Sequence, residues 1–318
     1  MLNIQDLPNE LVLKILDYSE TNDIINCGQV SKRIRKISRD GKLWVTVNLK
    51  NKIVKSELLE MILNKGCTIL NMYRSTIVGS LNSSIKSKLR VLDLSQPANM
   101  ETSWPGFCKK NITVLEQLMR SCCSLQHLNL QGLFLTPKIA RSICKNGKTL
   151  QELNLNRSPV SGYLMPNGDF QAIIKCCQEL KEVHLANDKK EHALTAEDLQ
   201  FLAKNISPNV LKLTLTFQYF TDDHVKILLG RCREIKELIL EATLITKFSL
   251  KIIIKYLSLS LEELTMNYRV GSKPSFLELK SMPRLKFLYL HSLTLNADEI
   301  QSLRQELPHL KISTYLYG

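Results

Sequence analysis

The chain has 318 residues, is 44% hydrophobic and 23% charged, and carries a formal net charge of +13, the profile of a folded basic protein. No apolar run reaches the roughly 18 residues a membrane span needs, since the best candidate, "FSLKIIIKYLSLSL", is broken by Lys251 and Lys255. The N-terminus "MLNIQDLPNE" lacks the basic and apolar regions of a secretory signal, so the nine cysteines are expected as reduced thiols of the cytosol or nucleus and not as a disulfide framework.

Residues 4–46 predict three short helices. Leu7, Leu11 and Ile15 recur at i+4, with Leu16 and Tyr18 beside them, giving an amphipathic helix after Asp6. "SETND" breaks it. Ile24, Ile25, Cys27 and Val30 mark a second helix, and "SKRIRKISRD" a third, with Ile34 and Ile37 inward. So small a block has too little core to be robust alone and is expected to need a partner or the adjoining chain. It also holds the one dense basic run, Lys32, Arg33, Arg35, Lys36, Arg39 and Lys42. That run keeps a nucleic-acid-associated module open as an alternative reading.

From Trp44 onward the chain repeats. The pattern L-x-x-L-x-L begins at Leu89, Leu125, Leu150, Leu180, Val210, Ile235, Leu261, Leu285 and Leu307, with looser copies at Trp44 and Cys67. Successive copies lie 22 to 36 residues apart, mostly within the range of leucine-rich repeats. Between them stand helix signals. "TPKIARSICKNG" opens on Thr136 and Pro137, "TAEDLQFLAKNI" and "TDDHVKILLGRC" open on Thr followed by acids, and Asn296 with Glu299 reads as a capping box. Each unit is therefore a short strand and a helix that bury their leucines only by stacking on neighbours.

Cysteine falls three residues before the repeat in three copies, at Cys122, Cys177 and Cys232, where other copies have Gly147, Ser207 or Ser258. A small, soft residue suits that junction, so these thiols are expected as packing. No C-x-x-C or H-E-x-x-H spacing, Gly-rich phosphate loop or G-x-S-x-G occurs, and neither a metal, a cofactor nor catalysis is expected.

The N-terminal block resembles the F-box. It carries Leu7-Pro8, Glu10-Leu11, Ile15-Leu16, Asp23-Ile24, Val30-Ser31-Lys32-Arg33 and Leu43-Trp44 in the family's order, and departs from it at Ser19 and at Ile34, where Leu and Trp are usual. Together with the cysteine-bearing repeats, the chain resembles the F-box/leucine-rich-repeat family, including the branch of the S-phase kinase-associated receptor. The resemblance implies an α/β fold: a three-helix F-box over residues 1–46, then a curved leucine-rich-repeat solenoid over 47–318 with a parallel sheet on the concave face and helices outside. It also implies a non-catalytic substrate receptor of a Skp–cullin–F-box ubiquitin ligase, in the cytoplasm or nucleus. The expected partners are a Skp-type adaptor, through it a cullin–RING ligase, and an unidentified protein substrate; neither a membrane nor nucleic acid is expected. Leu7, Pro8, Leu11, Ile15 and Leu16 would carry adaptor contact, with Val30 and Ile34 supporting. No long tail follows the last strand, so that branch's dependence on an accessory protein is not carried over.

In L-x-x-L-x-L the second and third leucines point inward, so their neighbours face the concavity. One column reads Glu152, Glu182, Lys212, Glu237, Glu263, Phe287, and a second reads Asn154, His184, Thr214, Ile239, Thr265, Tyr289, with His127 and Asn129 preceding them. An acidic middle and an aromatic C-terminal end predict a basic segment held by the glutamates and an apolar side chain anchored by Phe287 and Tyr289. His127, His184 and His291 fall in different columns or distant repeats and read as surface residues. Three long connections, "QPANMETSWPGFCKKN", "NRSPVSGYLMPNGD" and "ANDKKEHALT", are expected as rim loops, with Trp104 a candidate anchor. A leucine-rich scaffold or inhibitor acting outside a ligase remains the reading from another class.

Overall fold

The computed structural model describes residues 4–96, 105–158, 168–186, 194–241, 244–266, 276–291 and 297–315. It divides into two compact units, residues 1–129 and 130–318.

The first unit opens with α1 (Asn9–Asp17), α2 (Thr21–Val30) and α3 (Lys32–Ser38). A short 3-10 turn at Ile4–Asp6 precedes Pro8, whose carbonyl accepts the Leu11 and Val12 N–H groups, so α1 starts at Asn9, later than the apolar pattern implies. Two i+4 stripes run along α1. Val12 and Leu16 are buried with Ile24, Ile34, Leu43 and Trp44, whereas Leu11 and Ile15 face out. Burying each such side chain contributes about 1.5–3 kcal/mol, which makes small stitching contacts matter here. Ser31 caps α3 by accepting the Ile34 N–H at 3.2 Å, and the Trp44 indole N–H donates to the Ser38 carbonyl at 2.8 Å. Gly28 lets α2 and α3 cross closely, because a Cβ there would meet Ser38 Oγ at 2.8 Å. The Asn48 N–H donates to Thr21 Oγ1 at 3.2 Å and ties the helices to the first strand.

Strands β1 (Thr46–Asn48), β2 (Ile53–Lys55), β3 (Ile69–Asn71), β4 (Thr76–Val78), β5 (Val91–Asp93) and β6 (His127–Asn129) follow, with α4 (Ser56–Asn64) and α5 (Pro105–Ser121) between them. β1, β3, β5 and β6 pair in parallel, aligning Val47, Leu70, Leu92 and Leu128 in one buried row, and β2 pairs with β4. The last part of "QPANMETSWPGFCKKN" is helix and not loop: Pro105, suited to a first helical turn, opens α5. Trp104 lies outside the described residues.

The second unit alternates helix and strand: α6 (Pro137–Lys145), β7 (Glu152–Asn154), α7 (Asp169–Cys176), β8 (Glu182–Ala186), α8 (Ala196–Asn205), β9 (Lys212–Thr216), α9 (Asp222–Arg231), β10 (Glu237–Glu241), α10 (Lys247–Leu257), β11 (Glu263–Met266), β12 (Phe287–His291), α11 (Ala297–Glu306) and β13 (Lys311–Tyr315). From β7 to β13 successive strands are parallel, and Leu153, Val183, Leu213, Leu238, Leu264 and Leu288 align as one buried row. The caps read from sequence are present at Thr136, which accepts the Ile139 N–H, and at Thr195, which forms a full box with Asp198. At Thr221 the box closes through His224 in place of an acid. Asn296 lies outside the described residues.

Two devices join consecutive repeats. The residue three past a strand takes positive φ, at Asn51, Arg74, Gly132 and Arg157, and its N–H donates to the next repeat, onto the carbonyls of Tyr73, Ser95, Asn156 and Ala186 respectively. Buried serines bond the other way, to the preceding repeat: Ser158 donates to the Leu130 carbonyl and Ser207 to that of Gln178, each at 2.8 Å. Cys122, Cys177 and Cys232 are buried as junction packing, and burial pushes the thiols of Cys177 and Cys232 up to about 12 and about 11. At Gly147 a Cβ would lie 2.5 Å from the Cys176 carbonyl oxygen, so any side chain there would force the backbone to shift.

Candidate functional site

Two surfaces carry the candidate residues. On the helical module, Leu11 and Ile15 are 47% and 43% exposed, Val30 is 65% exposed, and Pro8 is also on the surface, while Leu7 is half-buried. Leu16 and Ile34 are corrections to the expected contact set. Both are buried, because α1 turns its Val12–Leu16 stripe toward α3 and the Gly41–Trp44 turn, so they shape the surface from beneath. Tyr18, 84% exposed, extends the Leu11–Ile15 stripe at i+7 and belongs with it, although the sequence pattern did not single it out as a contact. Three or four apolar side chains left in water at one spot mark a surface awaiting a protein. Ser19 donates to the Ile15 carbonyl at 3.0 Å and so finishes α1.

The neighbouring basic run is partly committed within the module. The Arg33 Nε–H donates to Asn9 Oδ1 at 2.9 Å and its Nη2 to the Leu7 carbonyl, and the Arg35 Nε–H donates to the Gly28 carbonyl at 2.8 Å. Arg33 thus holds the approach to α1 and Arg35 ties α3 to α2, which weakens the case for a nucleic-acid face.

The second surface lies on the strands of the second unit, on the side away from the leucine row. Parallel register aligns Glu152, Glu182, Lys212, Glu237, Glu263, Phe287 and Lys311 in one row, and Asn154, His184, Thr214, Ile239, Thr265, Tyr289 and Ser313 in the next. His127 and Asn129 sit on β6 of the first unit, in register with Val91 and Asp93. The expected columns thus exist, with two refinements. Thr214 and Thr265 are buried, since short side chains sink between longer neighbours. Lys311, which the sequence columns omitted, ends the first row with its ammonium 5.2 Å from the Phe287 ring, and Phe287 stacks on Tyr289 at 6.3 Å.

Charge in the row is lopsided. Lys212 Nζ lies 3.0 Å from Glu237 Oε1, and this hydrogen bond, helped by Glu182 and Glu263, holds the ammonium above its ordinary range. Both partners are well exposed, so the pair contributes little stability. Its interest is chemical: the row already holds one cation. His184 Nδ1 is 3.0 Å from Thr214 Oγ1, and burial lowers its pKa from 6.5 against the pull of Glu152 and Glu182. His184 stands two residues past Glu182 on β8 and diagonally across from Glu152 on β7, a cluster that the separate columns do not display. Donor atoms of Glu152, Glu182 and His184 lie within 4.8 Å of one another, the one group of His, Cys, Asp or Glu among the described residues with spacing suited to a metal ion.

Beside the rows is a hollow of about 660 Å³, whose wall includes Asn156, Thr216, Glu237, Glu241, Glu263 and Tyr289. That volume lies within the roughly 300–1,000 Å³ of ligand clefts. Asn156 Oδ1 and Thr216 Oγ1, both in this wall, are buried without a hydrogen-bond partner.

With this geometry the sequence relationships are decisive. A family model described as "F-box-like" matches residues 4–50, and one described as "SKP2 LRR domain" matches residues 57–318. The chain belongs to the F-box proteins with an SKP2-type leucine-rich-repeat domain. The two matches fall on the two parts of the chain, the helical module and the repeats. The chain is also similar to the leucine-rich repeat-containing protein LegL7 from Legionella pneumophila, at 14% identity over 87% of each chain with a TM-score of 0.42, a likeness too distant to bear on function. Among the described residues, no helix is long and apolar enough to cross a membrane.

Proposed function

We propose that this protein is a non-catalytic substrate receptor of a Skp–cullin–F-box ubiquitin ligase, acting in the cytoplasm or nucleus. Residues 1–46 dock a Skp-type adaptor, and residues 47–318 hold the protein to be ubiquitinated. The observation that carries the reading is the exposed stripe Leu11–Ile15–Tyr18, with Val30 and Pro8, on a module that matches an F-box and whose buried face is already filled. Leu7 borders the stripe; Leu16 and Ile34 hold its backbone in place. On the repeats, the rows from Glu152 to Phe287 and from Asn154 to Tyr289 are the proposed substrate face, with His127 and Asn129 its counterpart on β6. The ligase's chemistry belongs to other subunits; this chain supplies proximity.

The test is co-purification of the full-length chain with adaptor and cullin from cells. The wild type is expected to bring down both. Pro8→Ala combined with Leu11→Ala is expected to lose both while keeping its thermal stability. Undiminished recovery of the adaptor by that variant would sink the proposal.

A further inference from the structure

The hollow in the second unit combines features that the acidic row alone does not have. Its wall carries three carboxylates, Glu237, Glu241 and Glu263, against one guanidinium, Arg157. His184 is also in the wall and is kept neutral by burial. Thr216 is 8% exposed, lines the hollow and leaves its hydroxyl unpartnered, and Asn156 leaves its amide oxygen in the same state. The Arg157 N–H bonds the Ala186 carbonyl, and Ala186 pairs with Thr216, so Asn156 and Thr216 flank Ala186 on either side. A methyl is all that fills the space between them. An unpaired buried polar atom is unfavourable until something satisfies it.

We infer that this hollow receives an arginine side chain of the protein substrate. The inference rests on the substrate-receptor reading and specifies its chemistry. Set against Gln131, Arg157 and His184, the wall offers three carboxylates, an amide oxygen, a hydroxyl oxygen and the Tyr289 ring, an excess of acceptors and of negative charge. A guanidinium presents five N–H donors in a planar fork, is weakly hydrated and stacks on aromatic faces. An ammonium is a point charge, and the row already places one there, with Lys212 on Glu237. Anionic groups, phosphate included, would meet three carboxylates. Acceptors distributed around Ala186 therefore favour arginine over lysine, and charge favours either over a neutral side chain.

The experiment uses the full-length chain with methyl-labelled isoleucine and threonine, titrated with the capped pentapeptides Ala-Ala-X-Ala-Ala, where X is arginine, lysine or the neutral isostere citrulline. The arginine peptide is expected to shift the Ile239 and Thr265 methyl resonances saturably, the lysine peptide to bind at least about fivefold more weakly, and the citrulline peptide to leave them unmoved. Thr216→Val removes a hydroxyl that makes no hydrogen bond, so the fold is expected to persist, with arginine affinity falling about fivefold or more, as for one charge-assisted hydrogen bond. Equal binding of arginine and citrulline peptides, equal binding of arginine and lysine peptides, or an unchanged affinity in Thr216→Val would each overturn the inference. Adaptor co-purification is read on the same protein, so loss of the arginine preference with adaptor binding intact removes this inference and leaves the receptor reading standing.

Discussion

The outer face of α1 and the strand face of the second unit are both exposed, and they are chemically opposite. Leu11, Ile15 and Tyr18 offer oil to water; Glu152, Glu182, Glu237 and Glu263 offer charge around a single lysine. An apolar stripe gains by complete burial, is indifferent to salt and suits a standing contact with one adaptor. A charged row gains little per contact, is screened by salt and suits recognition that must be selective and reversible. The proposed receptor reading assigns the first surface to a permanent joint and the second to an exchangeable grip.

The comparison breaks most severely at the core. Leu16→Ala, under α1, and Leu213→Ala, under β9, each remove a buried side chain and are expected to lower stability by about 2–5 kcal/mol, as measured by urea unfolding. Leu11→Ala is expected to change stability by under about 0.5 kcal/mol, as surface substitutions usually do, while weakening the adaptor. Equal destabilisation by Leu11→Ala and Leu16→Ala would mean that the two stripes of α1 are not distinct. Next in size is Gly147→Ala, whose Cβ would press on the Cys176 carbonyl; a loss of about 1–3 kcal/mol is expected, as for overpacking against a fixed neighbour.

Smaller effects sharpen the contrast. His184 has its pKa depressed below 6.5 by burial, so the unfolded chain takes up the proton first and stability is lost as pH falls below 6.5 toward the folded value. His184→Gln is expected to flatten that part of the pH–stability curve, and an unchanged curve would place the titration elsewhere. Thiol labelling separates the cysteines: Cys177 and Cys232, pushed up to about 12 and about 11, are expected to stay unmodified in the native protein, whereas exposed Cys123 and Cys176 react. Least of all, Arg74→Gly relieves a positive φ of 54° on an exposed turn and is expected to raise stability by up to about 1 kcal/mol, read as a small rise in Tm.

The repeats were legible because leucine recurs in one phase, and the phase alone dictates which alternate residues leave the core. The F-box helices were legible as helices, but the outward face of α1 was not. Leu7, Leu11 and Ile15 make one i+4 stripe and Val12 with Leu16 another, and only packing on Ile24, Ile34 and Trp44 decides between them. The approach of His184 to Glu152 escaped the sequence because it runs diagonally from β8 to β7, although Glu182 stands only two residues before it on the same strand. The unpartnered oxygens of Asn156 and Thr216 escaped for a related reason: an unmet hydrogen bond is a property of surroundings, not of residue type. Lys311 ends the first row because β13 pairs with β12 in the register Phe287–Lys311, a pairing that only the structure displays.

The division of labour is tested most directly by calorimetric titration of the full-length chain with a purified Skp-type adaptor, at about 0.15 M and about 0.6 M salt, where the screening length differs roughly twofold. Leu11→Asp with Ile15→Asp, and separately Glu237→Lys with Glu263→Lys, are titrated alongside the wild type. The account predicts an affinity nearly independent of salt, abolished by the first pair and untouched by the second. Adaptor binding that falls steeply with salt, survives the first pair or is lost with the second would contradict it.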